Sequence, residues 1–187
     1  MNRRRQGGFS LLELLVTLFV VVLVTSLVTL NITSGGRDIQ LDAEVQNLAD
    51  VAIYALDEAQ MLGVDYGLYL QRSEQDGQLL YGYTWRERRP EGWRAPVSGK
   101  DIFATRYLPP EVELQLILED VAVVELPLAG TEEDPTPQVV FYASGEATAG
   151  AVELLRRDTG ELLWRLEWDL LGRMRMLRRG EESDFDQ

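Results

Sequence analysis

The stretch from Phe9 to Leu30 constrains the chain more than any other, because it is an apolar run with a single charge, Glu13. A helix of about 20 apolar residues crosses the ~30 Å hydrocarbon core of a bilayer. A charge at the centre of such a helix costs about 2.5–3.5 kcal/mol even on insertion scales, so Glu13 calls for a partner. Arg3, Arg4 and Arg5 precede the run, and Gly7-Gly8 separates them from it. The positive-inside rule keeps these arginines cytoplasmic and sends the remainder across the membrane. A secretory signal has an apolar region of roughly 7–15 residues with small residues after it. Here the run is longer and the small residues come first. Processing is therefore expected between Gly8 and Phe9, which leaves the helix on the mature chain.

Composition narrows the function classes. The formal charge is −13, and without the leader arginines 15 basic residues face 31 acidic ones, or −16. Such a surface repels phosphate backbones and disfavours nucleic acid as a partner. The chain has no Cys and no His, which removes disulfides, thiolate chemistry, the usual zinc sites and His-based triads. No cofactor or metal is expected. With the anchor set aside, the length suits one modest domain.

After Leu30, Asn31–Gly36 is a polar patch where a helix can loosen. Helical period then resumes: Leu41, Val45, Leu48, Ala52, Ala55 or Leu56, Ala59 and Leu62 form a stripe, with Asp42, Glu44, Asp50, Asp57 and Glu58 on other faces. Gly63 is the stop signal. From Val64 the period changes to two. Strands are expected at Val64–Gln71 and Gln78–Trp85, around a turn at Ser73–Gly77 whose core is Asp-Gly. Leu79, Tyr81, Tyr83 and Trp85 share a face. Arg86–Asp101 reads as a loop, basic and aromatic; that composition suits nucleic-acid or anionic-lipid contact, but with so acidic a chain its arginines are expected to pair with nearby carboxylates. Further strands are expected at Glu111–Glu119 (Val112, Leu114, Leu116 and Leu118 inward), Val121–Leu126, Gln138–Tyr142, Ala151–Arg157, Glu161–Asp169 and Arg173–Arg178. Leu162, Trp164, Leu166 and Trp168 share an inward face. Thr131–Pro137 reads as a solvated acidic loop without EF-hand spacing. Asp158-Thr159-Gly160 spells an aspartic-protease triplet, but no second copy exists to share a proton, so a tight turn accounts for it. The tail Gly180–Gln187 is acidic.

The stretch Gly8-Phe9-Ser10-Leu11-Leu12-Glu13-Leu14 resembles the prepilin signature of type IV pilins and type II secretion pseudopilins. The resemblance implies cleavage after Gly8 by a membrane prepilin peptidase, N-methylation of Phe9, and an assembly role for Glu13. A new amine at Phe9 of one subunit would meet Glu13 of its neighbour. The order Val139-Val140-Phe141, Ser144-Gly145, Val152-Glu153-Leu154, Gly160, Leu166 and Leu171-Gly172-Arg173 is similar to the carboxyl-terminal half of GspH-type pseudopilins.

These resemblances imply an α+β, pilin-like fold: a long N-terminal helix, membrane-spanning in its first half, packed on an antiparallel β-sheet or β-sandwich head. The expected organisation is a cleaved leader (1–8), a transmembrane helix (9–30), its periplasmic amphipathic continuation (31–63) and a β-rich periplasmic head (64–187). The implied role is a minor, tip-proximal pseudopilin of a type II secretion system, driving protein export across the outer membrane. The implied partners are the peptidase, GspJ-, GspI- and GspK-like minor pseudopilins, the major pseudopilin, the inner membrane and secreted substrates. The alternative is a FimT/FimU-like minor pilin, for which Arg173, Arg175, Arg178 and Arg179 are one candidate DNA-binding patch and the Arg86–Arg94 loop is the other. A membrane-anchored enzyme is a third reading, but Ser98 and Lys100 are too slight a dyad to carry it.

Overall fold

The N–H of Leu14 bonds to the carbonyl of Ser10 at 3.1 Å, and from there one 52-residue helix, α1, runs over Leu11–Leu62. The computed structural model describes residues 10–97, 101–119, 121–131 and 135–181; the side chains of 26–38, 121 and 122 lie outside that description. The backbone stays helical through Asn31–Gly36, so the polar patch does not interrupt the hydrogen-bond ladder. The helix ends where Gly63 turns left-handed (φ 68°), with the N–H groups of Gly63 and Val64 both reaching the Ala59 carbonyl. The Val64 bond is the six-to-one contact of a Schellman cap.

The chain divides into two compact units, residues 1–42 and 43–187. The described part of the first is the amino-terminal portion of α1. In the second unit the expected stripe is buried at Val45, Leu48, Ala52, Ala55, Leu56 and Ala59, and Leu41 of the first unit is buried too. Two positions differ from the expectation. Leu62 is 52% exposed, since the cap at Gly63 turns the chain away, and Glu58 is buried rather than solvated.

Among the described residues ten strands follow: β1 (Tyr66–Gln75), β2 (Gln78–Arg89), β3 (Gly92–Arg94), β4 (Arg106–Tyr107), β5 (Val112–Leu118), β6 (Val121–Val124), β7 (Val139–Phe141), β8 (Gly150–Arg156), β9 (Leu162–Trp168) and β10 (Met174–Arg178). They form two antiparallel sheets, one ordered β3-β2-β1-β7 with β4 also on β2, the other β10-β9-β8-β5-β6. The β1–β2 turn is tighter than expected. It contains only Asp76 and Gly77, both with positive φ (51° and 73°), the pairing a type I′ hairpin demands.

Arg86–Asp101 is corrected from a loop. β2 continues through Arg89 because Arg86 and Glu87 pair with Gly67 and Tyr66, and Trp93 then pairs back on Arg88. A short 3-10 turn, Asp101–Phe103, sets Phe103 among Tyr54, Tyr66 and Trp85 at 5.3–5.9 Å between ring centres. The acidic loop is not wholly solvated either: Pro135 and Pro137 are buried, while 132–134 lie outside the described residues. On β9, Leu166 and Trp168 are buried but Leu162 and Trp164 only half so, beside a register shift at Leu154/Leu155. Leu118 at the end of β5 is likewise half-buried. The Asp158–Gly160 turn stands as expected, closed by Gly160 N–H to the Arg156 carbonyl at 2.7 Å.

Candidate assembly and interaction surfaces

In the first unit Ser10 occupies the N-cap and Glu13 the third helical position, the two polar sites of a capping box. A carboxylate there also complements the positive end of the helix dipole. Around Glu13, every large apolar side chain described from Leu11 to Val24 is exposed, on all faces. Thr17 and Thr25 return their hydroxyls to the backbone carbonyls of Glu13 and Val21, at 2.6 and 2.8 Å, and so present no free donor. A helix apolar all round is built for hydrocarbon or for other helices. Among the described residues no helix is long and apolar enough to cross a membrane. The described side chains of the apolar run end at Thr25, short of the ~20 residues a crossing needs. Gly8 and Phe9, the expected processing site, lie outside the described residues, as do Ser98, Lys100 and the tail beyond Glu181.

The second unit carries polar contacts that fix α1 to the sheets. Tyr83 donates its hydroxyl to Glu44 Oε1 at 2.5 Å and accepts from Asn47 Nδ2 at 3.3 Å. Arg106 Nη1 reaches Glu44 Oε2 at 3.3 Å. Burial pushes the Tyr83 hydroxyl far above its ordinary value, the Glu44 hydrogen bond and charge add to this, and Asn47 and Arg106 oppose it. The hydroxyl therefore remains a donor at any physiological pH and ties α1 to β2, while Arg106 ties Glu44 to β4. Tyr54 donates to Glu58 Oε2 at 2.6 Å, which is how that carboxylate tolerates burial. Neighbouring Tyr66 is pushed up to about 12, by burial first and then by Glu87 and Glu58. Sequence reasoning placed Tyr83 on one face with Leu79, Tyr81 and Trp85 but missed its partners. The signal was the need of any buried tyrosine hydroxyl for a hydrogen bond.

At the far end of β9, Asp169 organises the turn into β10. Its Oδ1 accepts the N–H groups of Leu171 and Arg173, both at 3.0 Å, and its Oδ2 accepts Arg173 Nε at 2.6 Å. The turn delivers Gly172 (φ 68°) onto Leu56 of α1, whose Cδ2 would lie 2.3 Å from an added Cβ. Burial alone would raise the Asp169 carboxyl, but the Arg173 bonds and charge outweigh it and hold the group below its ordinary value. A depressed carboxyl contributes stability that is full above its unfolded value, near 3.9, and is lost as pH falls below it. Asp169→Asn is therefore expected to cost about 1 kcal/mol at pH 7 and progressively less toward pH 3. Thermal melting of both proteins in detergent at the two pH values checks this, and a gap that stays constant with pH would count against it.

Of the two arginine sets considered for nucleic acid, the one near the carboxyl terminus is engaged within the chain. Arg173 pairs with Asp169, Arg178 lies 4.7 Å over the Trp164 ring, Arg179 pairs with Glu161, and Arg175 has a partner as well. Among the described residues no group of three or more acidic side chains is placed to hold a metal ion. In the Arg86–Arg94 cluster the expected carboxylate pairing holds for Arg89, which meets Glu87 at 2.9 Å. Arg94 bonds the carbonyls of Trp93 and Glu91, and Arg88 lies over the Trp93 ring.

Residues 3–29 match the family described as Prokaryotic N-terminal methylation motif, and residues 44–172 the family described as Type II transport protein GspH. The chain is 28% identical over 190 residues to Type II secretion system protein H of Aeromonas hydrophila, covering 98% of this chain and 100% of that one. It is 28% identical over 158 residues to the protein of the same name from Pseudomonas aeruginosa, covering 82% and 86% respectively. The fold is similar to the crystal structure of the minor pseudopilin EPSH from the type II secretion system of Vibrio cholerae. That TM-score is 0.60 at 20% identity, over 75% of this chain and 95% of that one. It is also similar to the solution structure of E. coli GspH, with a TM-score of 0.52 at 16% identity, over 78% and 94%.

Proposed function

The chain belongs to the GspH family of type II transport proteins, and we propose that it serves as a minor pseudopilin of a type II secretion system. The observation that carries this reading is the succession of two matches on one chain: a methylation motif over 3–29, then the GspH region over 44–172. On this reading the prepilin peptidase removes residues 1–8 after Gly8, and Phe9 becomes the methylated amino terminus. Residues 9–30 anchor the protein in the inner membrane with the leader cytoplasmic, residues 31–63 continue the helix, and the 64–187 head is periplasmic. Assembly extracts the exposed apolar helix from lipid into a helical bundle. There Glu13 meets the Phe9 amine of a neighbour, which cancels two charges that are each costly in a dry environment. The braced head then recruits GspJ-, GspI- or GspK-like subunits near the tip, and the role is structural rather than catalytic.

Tandem mass spectrometry of the protein purified from membranes tests the reading. The amino-terminal peptide is expected to begin with N-methylphenylalanine followed by Ser10-Leu11-Leu12-Glu13. A peptide beginning at Met1, from cells with an active peptidase, would remove the assignment.

A further inference from the structure

One face of β2 carries, in order, Gly82, Thr84, Arg86 and Arg88, with no acidic residue among them. The alternation of a strand puts Glu87 on the opposite face, where Arg89 pairs with it at 2.9 Å and the Val97 N–H at 2.9 Å. Arg86 and Arg88 have no carboxylate partner among the described residues, and the Nε of Arg86 is buried without any hydrogen bond. The face around them is rigid. Trp93 is buried and pairs in register with Arg88, whose guanidinium lies 5.3 Å above the indole ring. Trp93 also reaches over Gly67, the register partner of Arg86, where an added Cβ would lie 3.1 Å from the ring. A guanidinium stacked on an indole keeps its in-plane N–H donors free and held in one orientation, the arrangement suited to carboxylates.

We propose that Arg86 and Arg88, the latter held over Trp93, form a docking site for an acidic segment of a partner protein. Two residues apart on one strand, Arg86 and Arg88 spring from backbone positions about 7 Å from each other, the repeat of alternate residues on an extended segment. The charge of the chain selects a short peptide over a polyanion. At −13 overall, the surface repels a nucleic acid or an anionic bilayer along its length. A contact two carboxylates wide lies within a Debye length of about 8–10 Å and feels mainly the local arginines. This site uses none of the residues of the pseudopilin reading and does not depend on it.

The test uses the full chain in neutral detergent with a fluorescein-labelled peptide of four Glu-Ser repeats. Fluorescence anisotropy is expected to show binding that weakens with salt and is absent for the Gln-Ser counterpart. Arg88→Gln, at an exposed position that leaves the core intact, is expected to weaken binding about tenfold, as is Arg86→Gln. Arg179→Gln is the control and should bind as wild type. Circular dichroism verifies that each variant is folded. The proposal is overturned if the wild-type chain ignores the glutamate peptide, or if both arginine variants bind it unchanged. It is equally overturned if a single-stranded oligonucleotide or phosphatidylglycerol vesicles bind as tightly at the same salt.

Discussion

Glu13→Ala and Glu13→Gln are expected to behave alike: both should cut incorporation into pseudopili by about a hundredfold or more, while membrane insertion and leader removal continue. The two substitutions separate the roles open to this carboxylate. As the third helical residue behind Ser10, Glu13 sits where a capping box needs a glutamate or glutamine. If capping were its whole function, glutamine would be neutral and alanine would cost about 1 kcal/mol, less than one decade. If its charge meets the amine of a neighbouring Phe9, removing it strands that amine in an apolar bundle. Breaking a buried pair costs about 3–5 kcal/mol, two to three and a half decades in an equilibrium. Insertion into lipid moves the other way, because the isolated helix no longer carries a carboxylate through hydrocarbon. The measurement is the ratio of sheared, sedimentable protein to detergent-extracted membrane protein for wild type, both variants and Glu13→Asp. Wild-type assembly by Glu13→Gln would leave capping as the function and remove the charge pair.

Much of the architecture could be read from local signals because the physics that produces it is local. The change of period from 3.6 to 2 falls at Gly63, whose positive φ and double capping of the Ala59 carbonyl stop the helix. Asp76-Gly77 and Asp158–Gly160 turn where their residue types allow positive φ at little steric cost. Val112, Leu114 and Leu116 alternate inward as a strand with one buried face must. The expectation failed where a pairing partner, not the local pattern, decides the structure. Arg86–Arg89 has the composition of a loop and is a strand only because Gly67 and Tyr66 already present an edge to it. Nor does any local pattern announce that β7 pairs with β1, or β5 with β8.

The polar sites divide in the same manner. Glu13 is conspicuous because a charge in an apolar run is costly wherever the chain folds. Glu44 and Glu58 lie on α1 among residues of the same kind, Asp50 and Asp57, that remain exposed. What distinguishes them is a tyrosine hydroxyl: Tyr83 for Glu44, brought in from β2, and Tyr54 for Glu58, one turn back along the helix. Asp169 was legible in principle, since an Asp ahead of a turn glycine often accepts the N–H two residues on. The unpaired state of Arg86 and Arg88 was not, because an abundance of carboxylates in a composition says nothing about which face of a strand they occupy.

Gly67→Ala is expected to cost about 2–3 kcal/mol, in the upper range for overpacking, and to lower the melting temperature by roughly 5–10 °C. Gly67 is the second residue of β1 and needs no unusual φ; its requirement is space. An added Cβ would lie 2.3 Å from Pro137 Cγ, 2.5 Å from Pro137 Cβ and 3.1 Å from Trp93 Cζ3. The proline ring cannot rotate aside as a flexible chain end can, and both Pro137 and Trp93 are buried. Gly77→Ala makes the contrasting case, a residue at φ 73° with nothing within 4 Å. There the cost is backbone strain alone, about 1–2 kcal/mol. A double-mutant cycle separates crowding from strain. Pro137→Gly removes both clashing carbons, so Gly67→Ala in that background should recover at least about 1 kcal/mol. The loss of proline rigidity in the unfolded chain is common to both arms containing Pro137→Gly and cancels in the cycle. Additive costs would mean that the 135–137 segment moves away freely, and Pro137 would then not be what demands a glycine beneath it.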